Sequence, residues 1–170
     1  MLKIHGSNNM NNTIGKKAEE KIREWLNRPE DGYSFDRIND QMTGFYGSKN
    51  VCDFKCYKYP NEYYIESKAT ENDRFDFSMI TQYQFDGLLN KSKIFGCYGL
   101  IIILFVSYKR AFIVDIQTIN DLIASGKKSM NINKIDKWNF AYSEIPSICS
   151  RKQMLDYSGE ISDIVPIKRW

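Results

Sequence analysis

The chain has 170 residues, of which 42% are hydrophobic and 14% aromatic, and its formal net charge is +3. This size and composition predict a globular domain with a buried core and exclude a largely disordered chain. The mildly basic balance permits binding to nucleic acid but does not require it.

Histidine and cysteine chemistry is largely excluded. His5 is the only histidine, which excludes hydrolases with a histidine base and zinc sites with several histidines. The cysteines form no CxxC pair and match no zinc signature, and we interpret them as small buried hydrophobes in a reducing cytoplasm: Cys52, Cys56, Cys97 and Cys149. Catalysis must therefore use carboxylates, lysines, tyrosines or a metal ion.

The first part of the chain predicts a leader, a helix and a strand. Residues 1–12 are polar and asparagine-rich, which predicts a flexible leader before a single domain of residues 13–170. A helix is predicted from about Ile14 to Asn27, with Thr13 as its N-cap. Its apolar stripe consists of Ala18, Ile22, Trp25 and Leu26. A short strand over 33–38 and a polar loop over 39–50 follow.

The rest of the chain predicts a sheet with helices between its strands. Two apolar runs, 51–57 and 62–70, form a hairpin, and 71–76 is a charged loop. A helix from Met79 to Asn90, capped by Ser78, is predicted next, followed by strands over 98–108 and 110–116. Another helix is capped by Asp115 or Thr118 and closed by Gly126. The tail is predicted to hold a short strand and a helix or turn. The order α-β-β-β-α-β-β-α predicts an α/β sheet flanked by helices.

No pattern points to a membrane. The chain opens without a signal-peptide pattern, and its longest apolar run, residues 99–106, is too short to cross a bilayer and suits a buried strand. We therefore expect a cytoplasmic protein with no membrane partner.

Asp53, Glu66 and Lys68 form the most informative group. Glu66 and Lys68 are two residues apart in a predicted strand, so both side chains leave the same face. If YPNE (59–62) is a four-residue loop with Pro60 second in a type I turn, Lys58 lies opposite Tyr63 and Asp53 opposite Lys68. All three charged groups then lie on one side of the hairpin.

Two carboxylates beside a lysine suggest a metal site. Like charges at close range raise each other's pKa unless a cation is present, and hard oxygen ligands suit Mg²⁺ or Mn²⁺. A metal held by Asp53 and Glu66 can activate a water and polarise a phosphoryl oxygen, while Lys68 orients or deprotonates that water. The alternative is a solvated surface ion pair with no chemical role.

Further candidates surround this group. Glu19 lies at the edge of the helical apolar stripe, where it could lean toward the sheet as a third metal ligand. Gln84 lies on the next helix and could face the site. The predicted contacts to DNA are Lys16, Lys17, Lys49, Arg74 and Gln84.

The residues also resemble a known family. A helix opening GKKAEE, a D-x12-E-x-K pattern ending IESKAT, and a helix carrying TQYQF are similar to the PD-(D/E)xK nuclease superfamily. Within it the pattern resembles the RecU-type Holliday-junction resolvases of Gram-positive bacteria and their phages. The likeness runs over residues 13–115 and, more faintly, over SGKKSM and RKQMLDY.

The resemblance implies a restriction-endonuclease-like mixed β-sheet flanked by α-helices. It further implies a homodimer that uses Mg²⁺ or Mn²⁺ to nick four-way DNA junctions symmetrically in recombination and repair. It carries metal binding onto Asp53, Glu66 and Glu19, the catalytic lysine onto Lys68, and the family's helix glutamine onto Gln84.

The chain departs from the family pattern in features tied to junction recognition. Cys52 stands where the family has a proline, the segment 39–50 allows at most a short stalk, and a strongly basic N-terminal extension is missing. Two alternatives therefore stay open: a restriction- or repair-type endonuclease of the same superfamily, or a non-catalytic DNA-binding module.

Overall fold

The computed structural model describes residues 7–38, 50–149 and 155–165. The helices in this part of the chain are α1 (Ser7–Leu26), α2 (Gln82–Ser92), α3 (Ile116–Ala124) and α4 (Ile161–Ile164). The strands are β1 (Tyr33–Arg37), β2 (Phe54–Lys58), β3 (Asn61–Thr70), β4 (Arg74–Asp76), β5 (Cys97–Phe105), β6 (Arg110–Asp115), β7 (Ser129–Asn131), β8 (Ser143–Glu144), β9 (Ser147–Cys149) and β10 (Leu155–Tyr157).

The main sheet is mixed. Within the described ranges it has six strands in the order β1-β2-β3-β5-β6-β8. β3 and β5 are parallel, with α2 in the crossover between them, and the other neighbours are antiparallel. The predicted restriction-endonuclease-like arrangement, a mixed sheet flanked by helices, is confirmed.

Each face of this sheet carries its own core. Alternate residues of β5 point to opposite faces, and both sets are buried, which is why its sequence is a continuous apolar run. On one face, sheet residues that include Phe54 and Ile65 pack against the apolar stripe of α1. On the other face, sheet residues that include Ile101 and Ile103 pack against α2 and α3. Candidate site residues on α1 and on α2 are therefore separated by the sheet.

Several predicted boundaries are wrong. α1 begins at Ser7, so part of the expected leader is helical and Thr13 lies inside the helix instead of capping it. Apolar periodicity cannot detect this extension, because an existing helix propagates at one hydrogen bond per residue through polar sequence. α2 is capped by Thr81 and not by Ser78, since Phe77–Met79 forms a short 3₁₀ turn.

Other expectations have mixed outcomes. Asp115 caps α3 through its bond from the Gln117 N–H (2.8 Å), and Gly126 follows with φ +85°, as predicted. The charged loop over 71–76 contains the unpredicted strand β4, which pairs with β7. Most of the predicted loop 39–50 lies outside the described residues. In the part of the chain that is described, no helix is long and apolar enough to cross a membrane.

The position of α2 over the sheet depends on Gly99 in β5. A Cβ at this position would lie 2.5 Å from the backbone oxygen of Leu88, which cannot move without shifting the helix. We predict that Gly99→Ala lowers the free energy of unfolding by about 1–3 kcal/mol, the usual cost of overpacking. Urea denaturation measures this. Gly15→Ala, where nothing lies within 4 Å, is the matched control, and equal effects of the two substitutions would contradict the prediction.

Candidate active site

The β2–β3 hairpin brings Asp53 and Glu66 together. Phe54 pairs with Ile65, and the Asp53 N–H donates to the Ile65 carbonyl (3.0 Å), so Asp53 lies just beyond the last strand pair and near Glu66. The predicted register, with Asp53 opposite Lys68, is therefore wrong. The turn is shorter than expected, because Lys58 pairs with Asn61 across Tyr59–Pro60. The error is two residues, an even number, so the prediction that these side chains share one face still holds.

Glu66 is the buried centre of the group, with only 2% of its surface exposed. Its Oε1 accepts hydrogen bonds from Lys68 Nζ (2.7 Å) and from Gln84 Nε2 (2.6 Å). Asp53 is held at the adjacent position, where its Oδ2 accepts from the Ser67 N–H (2.8 Å). The predicted cluster of two carboxylates and a lysine is thus present in the structure.

The surroundings of Glu66 raise the pKa of its carboxyl group to about 7. Burial is the largest cause, and the nearby Asp53 carboxylate adds to it. Lys68 and Gln84 act in the opposite direction but do not cancel the shift. A carboxyl group with such a pKa changes charge near neutral pH, which is a common property of functional sites.

The second oxygen of this carboxylate fits a metal ion. Glu66 Oε2 is buried and has no hydrogen-bond partner among the described residues. An unsatisfied buried acceptor costs about 1–3 kcal/mol, more when it is charged, so it needs a specific reason. A divalent cation shared with Asp53 supplies one, because carboxylate oxygens are the ligands that Mg²⁺ and Mn²⁺ prefer.

Gln84 reaches the site because it is part of the N-cap of α2. The Gln84 N–H donates to the Thr81 hydroxyl (3.3 Å), and the Thr81 N–H donates to Gln84 Oε1 (3.1 Å). This capping box fixes the amide so that its Nε2 points at Glu66, while Lys68 Nζ lies 3.4 Å from Oε1. Gln84 was predicted to contact DNA, but these bonds engage both ends of its amide inside the site.

Glu19 is not brought into this group. It lies on α1, which packs on the opposite face of the sheet, and its Oε2 accepts from Arg37 Nη2 at 2.5 Å. Among the described residues, no three histidine, cysteine, aspartate or glutamate side chains lie close enough to share an ion. The predicted third ligand is therefore not supported, because the sequence does not reveal which face of the sheet a helix covers.

The predicted phosphate contacts are spread over several elements. Lys16 lines an open cavity of about 410 Å³ between α1 and the start of β2, together with Glu19 and Arg37. Lys17 is exposed on the same helix. Arg74 is exposed on β4 and pairs with Asp76 (2.9 Å). Lys49 lies outside the described residues.

The mixed sheet, with an acidic pair and a lysine on one hairpin, defines a protein of the restriction-endonuclease-like fold. A family model described as RecU, Recombination protein U, matches residues 32–163, which is most of the chain. The chain belongs to the RecU family, as the sequence indicated. The matched range includes Asp53, Glu66, Lys68 and Gln84 but not Glu19.

A solved structure is also similar to the chain. It is that of Hjc, a Holliday junction resolvase from Archaeoglobus fulgidus, with 12% sequence identity and a TM-score of 0.44. The likeness covers 61% of this chain and 78% of that one. No curated protein sequence gives a significant match to the chain.

The raised pKa of Glu66 predicts a pH-dependent stability of the metal-free protein. Between the ordinary pKa of 4.5 and about 7, the folded state binds more protons than the unfolded state, so stability falls as the pH rises through this window. The loss is at most about 3 kcal/mol. Urea denaturation in EDTA from pH 4 to 8 should show the loss in the wild type and not in Glu66→Gln.

Glu62→Gln is the matched control. Burial raises the pKa of Glu62, but the bonds from Lys55 and Tyr64 together outweigh it and lower the pKa, so the wild type should gain stability over this variant as the pH rises. Parallel pH profiles for the wild type and Glu66→Gln would contradict the assigned state of Glu66.

Proposed function

We propose that this protein is a divalent-metal-dependent endonuclease that resolves Holliday junctions by paired nicking. Membership of the RecU family supports the substrate class. The single observation that carries the chemistry is the buried Glu66 carboxylate, whose Oε2 has no partner among the described residues while Asp53 lies alongside. Such a group is costly in a structural role and useful as a metal ligand.

The roles follow from the contacts. Mg²⁺ or Mn²⁺ would be held by Asp53 and Glu66, where it would lower the pKa of a bound water and offset charge on the phosphate. Lys68 keeps Glu66 Oε1 occupied, so that Oε2 faces the ion site. The Lys68 side chain is 18% exposed, so its ammonium group can also hold the attacking water and stabilise the negative charge that develops on the phosphate.

Two further parts of the proposal concern the DNA. Two symmetric nicks require two active sites, so we propose that the protein acts as a homodimer on branched DNA. Lys16, Lys17, Lys49 and Arg74 are proposed to contact backbone phosphates.

A cleavage assay tests the proposal. Purified protein with Mg²⁺ or Mn²⁺ should cut a labelled four-way junction, and should linearise a plasmid that extrudes a cruciform, because paired nicks open both strands. Lys68→Ala should lower the rate by at least about 10²-fold. Lys93→Ala, which removes an exposed lysine whose side chain bonds Asn90, should cut at the wild-type rate.

Several outcomes would change the conclusion. Wild-type rates with Lys68→Ala would contradict the role of this lysine. Equal cutting of linear duplex would indicate a restriction- or repair-type endonuclease.

An unchanged melting temperature with Mn²⁺ would indicate a DNA-binding module without a metal site. Where Mn²⁺ does stabilise the wild type, the shift should vanish in Glu66→Gln and persist in Glu19→Gln, because Glu19 pairs with Arg37.

The position of Gln84 generates a separate prediction. Gln84→Ala should lower Mn²⁺ affinity or the cleavage rate by about 10–100-fold, the usual effect of losing a partner that orients a metal ligand. Gln84→Glu should also lose activity, although glutamate suits the capping box, because it sets a third carboxylate against Glu66. Isothermal titration with Mn²⁺ and the junction assay measure these effects.

Thr81→Ala distinguishes orientation from helix capping. It removes the acceptor of the cap, at a cost of about 0.5–2 kcal/mol in stability, but leaves the bond from Gln84 to Glu66. If Thr81→Ala and Gln84→Ala reduce metal affinity equally, Gln84 acts only through the helix cap.

A further inference from the structure

A group of five basic side chains lies on the face of the sheet that carries Glu66, and four of them have no role in the function proposed above. It comprises Arg74 on β4 together with Lys127, Lys128, Lys134 and Lys137, which lie before and after β7. We call these five residues the basic strip. All of them are exposed.

The strip is built on a small two-stranded sheet. Arg74 pairs with Asn131, and Asp76 pairs with Ser129. The middle residues of the two strands, Phe75 and Met130, are buried in the core on the α2 face. Because side chains alternate along a strand, their neighbours point outward. Arg74 therefore points to the outer surface of this small sheet, and the four lysines, which flank β7 in the chain, are exposed before and after it.

Specific bonds connect the small sheet to the loop that follows β3. Asn131 Nδ2 and Asn133 Nδ2 both donate to Asp73 Oδ2, at 3.1 Å each. The Ile132 N–H donates to the Asp73 carbonyl (2.9 Å). The lysine-bearing segment is thus tied to residues five positions beyond Lys68.

Thr70 links the same loop to the site strand. It lies two residues after Lys68, at the end of β3, and its hydroxyl donates to the Arg74 carbonyl (3.4 Å). The Asn72 N–H donates back to this hydroxyl (3.2 Å). The basic strip therefore continues from the strand that carries Glu66 and Lys68, through a short bonded connection.

The lysines of the strip are available to an external anion. Residues 127–137 contain four lysines and a single acidic residue, Asp136. None of these lysines forms an ion pair with a carboxylate in the described part of the chain, whereas Arg74 pairs with Asp76 and Asp73 is bonded by amides. Exposed lysines of this kind can neutralise backbone phosphates, which releases cations condensed on the DNA with a gain in entropy.

We propose that the basic strip binds the phosphodiester backbone of one duplex arm of the DNA substrate, beyond the phosphate positioned at Lys68. This inference rests on the proposed function and names a surface for its substrate. From Lys128 to Lys134 the chain spans at most roughly 20 Å. The segment can therefore follow at most about six steps along one DNA strand at 3.4 Å each. The strip contacts phosphates and reads no bases, so its contribution is independent of sequence.

The test is the salt dependence of binding. Two double variants, Lys127→Gln with Lys128→Gln and Lys134→Gln with Lys137→Gln, are compared with the wild type on a labelled four-way junction in EDTA. The slope of log K against log salt is negative, and each lysine that contacts a phosphate adds about 0.9 to its magnitude, so each double variant should reduce that magnitude by about 1.8. Fluorescence anisotropy over a range of NaCl concentrations gives the slopes.

The matched control is Lys91→Gln with Lys93→Gln. It changes the net charge by the same amount at the C-terminal end of α2, near Gly96, which is the end of the sheet away from the strip. The proposal is supported if the magnitude of the slope falls for both strip variants and not for the control. The proposal is overturned if the strip variants have the wild-type slope, or if the magnitude of the slope falls equally in the control.

Arm length gives a second readout. Shortening the duplex arms should abolish the difference between the wild type and the strip variants, because the strip binds beyond the cleaved phosphate. A difference that persists on junctions with minimal arms also overturns the proposal. Because these measurements use no metal, an inactive wild type with Mg²⁺ and Mn²⁺ would contradict the proposed function and leave the strip test unaffected.

Discussion

The structure around the candidate site depends on the burial of one carboxylate, Glu66, next to a second one, Asp53. Both burial and the like charge oppose ionisation, which is why the pKa of Glu66 rises to about 7. Lys68 and Gln84 offset part of this cost, and both bond the same oxygen atom. The asymmetry is informative, because most buried polar atoms have a hydrogen-bond partner. The fold instead bonds one oxygen twice and leaves the other without a hydrogen-bond partner among the described residues.

This arrangement requires α2 to lie very close to the sheet. Gly99 allows the helix backbone at Leu88 to approach β5, and Gly87 allows the helix to pack on Val51, just before Asp53. The helix is capped by Thr81 in a capping box, in which the Thr81 backbone N–H holds the Gln84 side-chain amide in a fixed orientation. Gly87, Gly99 and the Thr81 cap therefore set the position of Gln84, which in turn bonds the Glu66 carboxylate on β3.

The sequence predicted the hairpin and the shared face of Asp53, Glu66 and Lys68, because alternation along a strand is strict. It did not predict the register, because the turn length depends on backbone geometry at Pro60 rather than on hydrophobic pattern. The cap of α2 could have been found, since TQYQ fits the S/T-x-x-E/Q pattern at Thr81. The placement of Glu19 could not, because no local signal reveals which face of a sheet a helix covers. Strands of three residues, such as β4 and β7, are too short to show a period.

The two faces of the sheet also divide the basic residues. Lys16 and Lys17 belong to α1, whereas the basic strip lies on the face that carries Glu66 and Lys68. An arm of DNA along the strip would approach Lys68 from the α2 side, in line with the strand that bears it. The strip shares no bond with Glu66 or Gln84 among the described contacts, so changes in binding and changes in chemistry should be additive in free energy. This independence allows affinity for DNA to be altered at the strip without disturbing the buried carboxylate on which cleavage would depend.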